Sequence, residues 1–343
     1  MFNTAATRHL AAAAALMALT SGPALAANVL TDNFSSFLVF GDSLSDNGNL
    51  FSAVGAPASP PYFDGRFSDG PVWNEAIIES FSGLGRVGAN FAFGGARANE
   101  DADGIPDFGA QVGLFSITEI PTLGGPAALP TLIGDRPLAS VWFGANDLFD
   151  SIGVSDPFAA ATTAAGDIGT NIGLLNDTFG INDFVVFNLP DLGSIPLFAG
   201  GPAEGLATAA TDTFNSALST EILSLQADGI NIIEVDVNSL FDDLLADPAA
   251  FGVSDTTSVC VISDGDGNVV QNCFDDLGQQ AAEEANAERV FFDLVHPTQQ
   301  IHTELNSQFT SAVAAAIPLP APAFLLLGAL GVFAASRRRR AAN

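Results

Sequence analysis

Short apolar runs recur along the chain, and each gives way to a glycine or an asparagine. Three of them are residues 37–40, 141–143 and 184–187, which are rich in aromatic and β-branched side chains. Runs this short and this uniformly apolar are typical of strands buried on both faces. A helical stripe follows the third run, and it consists of Phe214, Leu218, Ile222 and Leu225. The alternation of strands and helices predicts an α/β protein with a parallel sheet covered by helices on both faces.

One domain accounts for most of the chain. The 343 residues are 48% hydrophobic, which is enough to form a large core and excludes a disordered protein. No linker or internal repeat interrupts residues 27–316. We therefore expect a single domain over 27–316, preceded by a leader at 1–26 and followed by a separate segment at 317–343.

Histidine is scarce, which limits the candidates for a general base. The chain has three, and His9 lies in the expected leader, so His296 and His302 remain. A serine hydrolase needs a neutral imidazole to accept the serine proton. Asp293 precedes His296 by three residues and is able to hold the ring in one tautomer, although an aspartate at this spacing also caps turns. We expect His302 to be structural or to lie at the rim of a site.

A serine follows the first apolar run. Ser43 comes two residues after Gly41, so it lies at the carboxyl edge of the predicted sheet, where open α/β folds bind ligands. The segment is not the Gly-x-Ser-x-Gly elbow of α/β-hydrolases, because Ser45 stands at the final position. Taken alone, Ser43 fits a helix N-cap equally well.

Four segments in order resemble the GDSL, or SGNH, family of serine esterases and lipases. They are residues 41–44, 90–96, 144–147 and 293–297, and the resemblance covers about residues 36–316. It implies a three-layer α/β/α, flavodoxin-like fold with a parallel sheet of about five strands. It also implies a serine carboxylic ester hydrolase that needs no cofactor and no metal.

The resemblance assigns catalytic roles. Ser43 is the nucleophile, His296 the base and Asp293 the group that orients His296. The oxyanion hole is formed by the backbone N–H groups of Ser43 and Gly95 and by the Asn146 side chain. If the other segments were absent, residues 94–95 would be interpreted as a turn at the end of a strand, and Asn146 as part of an Asx turn.

Several polar residues beside these positions are expected to support the site. Asp42, Asp46, Asn47 and Asp147 are predicted to hydrogen-bond the loops that hold Ser43 and Asn146, without reacting themselves. Gly94 is the alternative backbone donor to its neighbour Gly95.

The two cysteines, Cys260 and Cys273, are predicted to form a disulfide in an exported protein. Zinc binding is the alternative, but two cysteines without a nearby histidine make a poor zinc site. Two acidic loops, 101–107 and 264–268, resemble parts of calcium loops but lack the downstream glutamate. We expect solvated turns there.

Both ends of the chain indicate export. Residues 1–26 combine Arg8, an apolar run and a small-x-small cleavage site, as in a secretory signal peptide. Residues 317–343 combine a proline-rich start, an apolar run and four arginines, and resemble the VPLPA-type or PEP-type sorting signals of Gram-negative bacteria. That resemblance implies a sorting protease of the exosortase kind as partner and a location at the cell surface, outside the cell or in the periplasm. A permanent transmembrane anchor is the alternative.

The charge restricts the partners. Residues 27–317 contain five arginines and 39 acidic residues, so the net charge of this part is more negative than the net charge of −29 of the whole chain. Such a surface repels nucleic acid and anionic lipid headgroups.

The favoured function is an exported esterase, similar to secreted lipases, phospholipases and hemolysins, that acts on small-molecule or lipid esters. The alternatives are a deacetylase of exported polysaccharide and a non-catalytic surface-matrix protein on a hydrolase scaffold.

Overall fold

Five parallel strands form the central sheet. The computed structural model describes residues 29–118, 129–263, 269–277 and 279–317. The strands are β1 (Ser36–Gly41), β2 (Gly88–Asn90), β3 (Pro137–Trp142), β4 (Asp183–Phe187) and β5 (Asn231–Val235). Their spatial order is β2-β1-β3-β4-β5, and every neighbouring pair is parallel. This is the order of flavodoxin-like doubly wound folds. The predicted fold class is confirmed.

Helices flank the sheet. They are α1 (Asn49–Val54), α2 (Glu75–Ser82), α3 (Phe108–Thr118), α4 (Leu129–Ile133), α5 (Ala145–Ser151), α6 (Pro157–Phe179), α7 (Glu204–Ala227), α8 (Val237–Ala246), α9 (Cys273–Leu277), α10 (Gln279–Asn286) and α11 (Gln299–Ala316). Helix α7 buries Phe214, Leu218 and Ile222, three members of the predicted stripe. All residues of β1 and β3 are buried, as expected for central strands covered on both faces.

A small second cluster lies outside the main core. It contains Tyr62, Cys260, Val261, Cys273, Ala282 and Phe292, and we call it the satellite cluster. The antiparallel strands β6 (Val261–Ser263) and β7 (Val269–Asn272) contribute to it. The predicted disulfide between Cys260 and Cys273 joins the two ends of this hairpin, with a Cα–Cα distance of 4.8 Å.

Some predictions fall outside the described residues. These concern the leader (1–26), the acidic loop 264–268 and the apolar and arginine-rich end (318–343). Within the parts of the chain that are described, no helix has the length and apolar character required to cross a bilayer. The other acidic loop is described, and there Asp101 and Asp103 form ion pairs with Arg97.

Candidate active site

The candidate residues of the first three segments follow three neighbouring strands. Ser43 comes after β1, Gly95 after β2 and Asn146 after β3, and β1 lies between the other two. Since the carboxyl ends of parallel strands share one edge, the sheet brings these residues to the same end of the molecule. Ser43 is 8% exposed, so it is nearly enclosed.

A continuous chain of hydrogen bonds joins Ser43, His296 and Asp293. The Oγ of Ser43 lies 2.8 Å from Nε2 of His296, and Nδ1 of the same ring lies 2.7 Å from Oδ2 of Asp293. An ionised carboxylate accepts only, so Nδ1 carries the proton and Nε2 faces the serine as an acceptor. This arrangement lets the serine proton pass to His296.

The carboxylate of Asp293 has four hydrogen-bond donors. Its Oδ1 accepts the backbone N–H groups of Val295 (2.9 Å) and His296 (2.7 Å). Its Oδ2 accepts the His296 ring and the Tyr62 hydroxyl, the latter at 2.8 Å. Asp293 therefore caps the turn and orients the ring at once. Burial by itself would raise the pKa of Asp293, but the His296 ring and these hydrogen bonds outweigh it and lower the pKa below its ordinary value.

Asp46 organises the loop after the nucleophile. Its carboxylate accepts the backbone N–H groups of Gly48 (2.8 Å), Asn49 (2.6 Å), Leu50 (3.2 Å) and Gly94 (2.8 Å). Burial still raises the pKa of Asp46 against these hydrogen bonds. The Gly94 N–H group is therefore already hydrogen-bonded, so it is not available as the alternative oxyanion donor.

Gly95 needs to be a glycine. Its φ of +85° lies in the left-handed region, and a Cβ there would come within 2.8 Å of Ile105. The N–H of Gly95 has no hydrogen-bond partner among the described residues. It is thus free to meet an oxyanion.

The start of α5 is tied to the segment that carries Gly95. The side-chain amide of Asn146 donates to the carbonyl of Ala96 at 2.8 Å, which leaves its second N–H for another acceptor. The carboxylate of Asp147 accepts the N–H groups of Ala98 (2.9 Å) and Asn99 (3.2 Å). These bonds fix the two candidate oxyanion donors relative to each other.

Two buried carboxyl groups beside the site have raised pKa values. Burial raises the pKa of Asp42, which is 1% exposed, to about 7, and the nearby Asp147 adds to the increase. Burial likewise raises the pKa of Asp147 to about 6. The hydrogen bond from Leu44 and the charge of His296 act in the opposite direction on Asp42.

The structure does not bear out the predicted hydrogen bonds of Asn47, because Asn49 and not Asn47 reaches the neighbouring backbone. His302 likewise lies apart from the site residues. The half-buried Asn47 side chain makes no hydrogen bond with any described residue, whereas Asn49 donates to the carbonyls of Asn90 (3.0 Å) and Ala92 (2.9 Å). His302 is 1% exposed, and its ring nitrogens lack partners within the described part of the chain. Burial lowers the pKa of His302 to about 3, which keeps the ring neutral. It lies in the interior and not at the rim.

Tyr62 lies outside the four segments that predicted the site. It belongs to a loop that covers the segment 293–297. In this loop, Ser68 donates to the carbonyl of Pro297 at 3.0 Å, and the Phe67 ring lies 5.0 Å from the His296 ring. The available signal was that Tyr62 is the chain's single tyrosine.

A cavity of about 680 Å³ adjoins this loop. Tyr62, Asn286 and Gln299 are among its lining residues, whereas Ser43 and His296 are not. The cavity is therefore distinct from the immediate surroundings of the nucleophile.

Known proteins resemble this chain over most of its length. Residues 37–309 match the model of the family described as GDSL-like Lipase/Acylhydrolase. The chain is 29% identical over 309 residues to a phosphatidylcholine-sterol acyltransferase of Aeromonas hydrophila, covering 80% of this chain and 88% of that protein. It is 27% identical over 277 residues to the thermolabile hemolysin of Vibrio parahaemolyticus, covering 79% of this chain and 62% of that protein.

Solved structures are more distant. An acetylxylan esterase of Geobacillus stearothermophilus, Axe2, has 12% sequence identity and a TM-score of 0.43, covering 81% of this chain and 94% of that one. The family model spans well over half of the chain, and it contains the segments that carry Ser43, Gly95, Asn146 and His296. The chain belongs to the GDSL-like lipase/acylhydrolase family and is an ester-bond hydrolase.

Proposed function

We propose that this protein is an exported serine carboxylic ester hydrolase that acts on lipid esters through a Ser43–His296–Asp293 triad. The observation that carries the proposal is the hydrogen-bond chain from the Ser43 hydroxyl through both His296 nitrogens to Asp293, with distances of 2.8 and 2.7 Å. A serine hydroxyl is a weak nucleophile until an adjacent base can take its proton.

Acylation begins when the Oγ of Ser43 attacks the ester carbonyl carbon. As the C–O bond forms, the Ser43 proton passes to Nε2 of His296, and the carbonyl oxygen becomes an oxyanion. The C–O bond to the alcohol then breaks, and Nε2 gives its proton to the departing alkoxide. The alcohol leaves, and the acyl group remains on Ser43.

Deacylation repeats these steps with water. Nε2 of His296 accepts a proton from the attacking water, and the hydroxide adds to the acyl carbonyl. Collapse of this second intermediate breaks the bond to Ser43, whose Oγ recovers the proton from His296. The products are a carboxylic acid and the free enzyme.

Three N–H donors stabilise the oxyanion in this scheme: the amides of Ser43 and Gly95 and the side chain of Asn146. The left-handed backbone at Gly95 and the Asn146–Ala96 hydrogen bond support this role, because they hold the donors in place before the substrate arrives. Preformed donors of this kind typically contribute about 2.7–4 kcal/mol each to transition-state stabilisation.

A zwitterionic phospholipid is the substrate class that we favour. The Aeromonas relative is named for an acyl transfer from phosphatidylcholine to a sterol. In such a reaction an alcohol takes the place of water at the acyl-enzyme. The excess of 39 acidic residues over 10 basic ones disfavours anionic headgroups but not phosphatidylcholine.

Export is part of the proposal. The leader-like residues 1–26 support it, and so does the Cys260–Cys273 disulfide, since disulfides persist in oxidising compartments. We further propose that residues 317–343 form a sorting signal, which a membrane protease of the exosortase kind recognises.

The test is an ester series with a matched pair of serine variants. Purified protein is assayed on p-nitrophenyl esters from acetate to palmitate and on phosphatidylcholine and phosphatidylglycerol vesicles. Ser43→Ala should abolish turnover, while Ser52→Ala, which changes an exposed hydroxyl bonded to Gly48, should not.

The outcomes separate the alternatives. Preference for long chains and for phosphatidylcholine supports the lipid esterase. Activity confined to acetate would point to the polysaccharide deacetylase. Turnover that survives Ser43→Ala would refute the triad, and a folded protein inactive on every ester would favour the surface-matrix role.

A further inference from the structure

We propose that Tyr62 is a positioning residue of the triad, which holds Asp293 in place and extends the activity of the enzyme to lower pH. The inference rests on the proposed function, because it concerns how the same triad works. Tyr62 contacts Asp293 and neither Ser43 nor a substrate, so it acts through another residue.

The first support is the atom that Tyr62 contacts. Its hydroxyl lies 2.8 Å from Oδ2 of Asp293, the oxygen that also accepts the His296 ring. The two residues are 231 positions apart, so the contact depends entirely on the tertiary fold. A donor at this oxygen competes directly with the imidazole for the negative charge of the carboxylate.

The second support is the rigidity of the tyrosine. Tyr62 is 7% exposed, and its ring packs edge-on against Phe292 at 5.4 Å and Phe67 at 6.0 Å. An ionised carboxylate can only accept, so the Tyr62 hydroxyl is the donor in its hydrogen bond with Asp293. Burial and the negative Asp293 raise the pKa of Tyr62, so the hydroxyl stays protonated.

The consequence for pH follows from the charge of Asp293. The carboxylate stabilises His296 when the ring is protonated, and a protonated ring cannot accept the proton of Ser43. The Tyr62 hydroxyl withdraws part of the negative charge from Oδ2, which makes ring protonation less favourable. Without it, the full charge of the carboxylate would stabilise the protonated ring, and activity would be lost earlier on acidification.

Other titratable groups that face the His296 ring stay in place when Tyr62 changes. They are Asp293 in its own turn, Asp42 after β1 and His302 on α11. Burial keeps His302 neutral. Asp42, whose pKa burial raises to about 7, gains its charge near the same pH, but it is present in both the wild type and Tyr62→Phe, so its effect cancels in their difference.

The test is the pH profile of kcat/KM for Tyr62→Phe. We expect the acid limb to move up by about 0.3–0.5 pH units. We also expect kcat on the plateau to fall about 3- to 10-fold with KM unchanged, because Asp293 keeps its other donors but is less firmly held.

Phe292→Leu is the packing control. It removes a ring that contacts Tyr62 but leaves every hydroxyl in place. The melting temperature should fall and the acid limb should stay where it is. An equal limb shift in Phe292→Leu and Tyr62→Phe would overturn the inference, since packing alone would then explain it.

The single tyrosine allows a second, less disruptive test. Growth on a ring-fluorinated tyrosine labels Tyr62 alone and makes its hydroxyl a stronger donor, so the acid limb should move to lower pH. Shifts of opposite sign for fluorotyrosine and phenylalanine support the inference. If the acid limb moves in neither protein while wild-type turnover still depends on Ser43, the inference is wrong. If wild-type turnover does not depend on Ser43, the proposed function itself is wrong.

Discussion

The proposed nucleophile and the proposed base come from regions that are built differently. Ser43 follows β1, a strand whose six residues are all buried in the main core. His296 lies in a segment without a regular strand, where isolated bridges join Asp255 to Arg289 and Phe291 to Pro297. The satellite cluster, its disulfide and Tyr62 support this second region. The sheet thus fixes the nucleophile, whereas contacts between distant loops fix the base.

The two regions also differ in electrostatics. On the sheet side, burial raises the pKa values of Asp42, Asp46 and Asp147. On the loop side, Asp293 is equally buried, yet the His296 ring and its hydrogen bonds lower its pKa. The His296 ring and four hydrogen bonds keep Asp293 ionised, whereas at Asp42, Asp46 and Asp147 burial outweighs the hydrogen bonds and favours the neutral form. Only an ionised carboxylate can stabilise a protonated histidine during catalysis.

The largest expected effect comes from Asp293→Asn, which removes the carboxylate that holds the His296 ring in place against Ser43. An amide can donate to Nδ1 and so favours the wrong tautomer of His296. We expect kcat to fall by about 10³–10⁴, by analogy with the corresponding change in a triad protease. Asp107→Asn alters a buried carboxyl that only bonds the backbone of its loop, and it should keep most of the activity. Equal losses in both variants, measured as kcat, would contradict the comparison.

Next in size is Asn146→Ala on the sheet side. Loss of one oxyanion donor should lower kcat by about 10²–10³ while KM changes little. The control is Asn171→Ala, because that amide donates to the carbonyl of Asp167 one turn earlier in α6. A change in KM alone would show that Asn146 binds the substrate and does not stabilise the transition state.

Removal of the disulfide tests the loop side alone. The double change Cys260→Ser and Cys273→Ser should reduce the free energy of unfolding by about 3 kcal/mol, as expected for a loop of this length. The amides of Cys260 and Val261 donate to the carbonyl of Phe292, next to Asp293, so kcat should fall as well. Denaturant unfolding with and without reductant checks this. A wild type that does not respond to reductant would contradict the prediction.

Asp42→Asn tests the sheet-side electrostatics. Because the pKa of Asp42 is raised from 3.8 to about 7, its stabilising contribution is full below the unfolded value and is lost as the pH rises through about 7. The wild type should therefore lose stability relative to the variant between about pH 4 and pH 7, with little further change above that range. Melting temperatures of both proteins across this range give the difference. Both proteins have the same acidic surface, so its effect on stability cancels in the difference. Parallel curves of melting temperature against pH would refute the raised pKa of Asp42.

The smallest effect is expected at His302, whose buried ring has unsatisfied nitrogens in the described structure. Replacement by an apolar group of similar volume removes that cost, so His302→Leu should leave the free energy of unfolding unchanged or slightly raised. His302→Ala opens a cavity and should cost about 2–3 kcal/mol. A large loss in the leucine variant would mean that the ring nitrogens have partners, for example ordered water.

The predictable part of the site was local in sequence. The strand pattern predicted the sheet, and the turn at 293–296 could be anticipated because Asp293 and His296 are three residues apart. The choice of Gly95 over Gly94 received its physical reason only from the Asp46–Gly94 hydrogen bond, which spans 48 positions. His302 could not be placed, because a single histidine on a helix does not reveal how deeply its face is buried.

The sequence by itself determined the α/β class, the family and the residues that we propose for ester hydrolysis, because strand periodicity and short motifs depend on neighbouring residues. Only the tertiary structure decided which side chains support them. It joined Tyr62 to Asp293, set the satellite cluster behind the catalytic turn and buried Asp42. Contacts between residues more than two hundred positions apart, and the burial that shifts a pKa, arise from packing in three dimensions and leave no periodic signal in the chain.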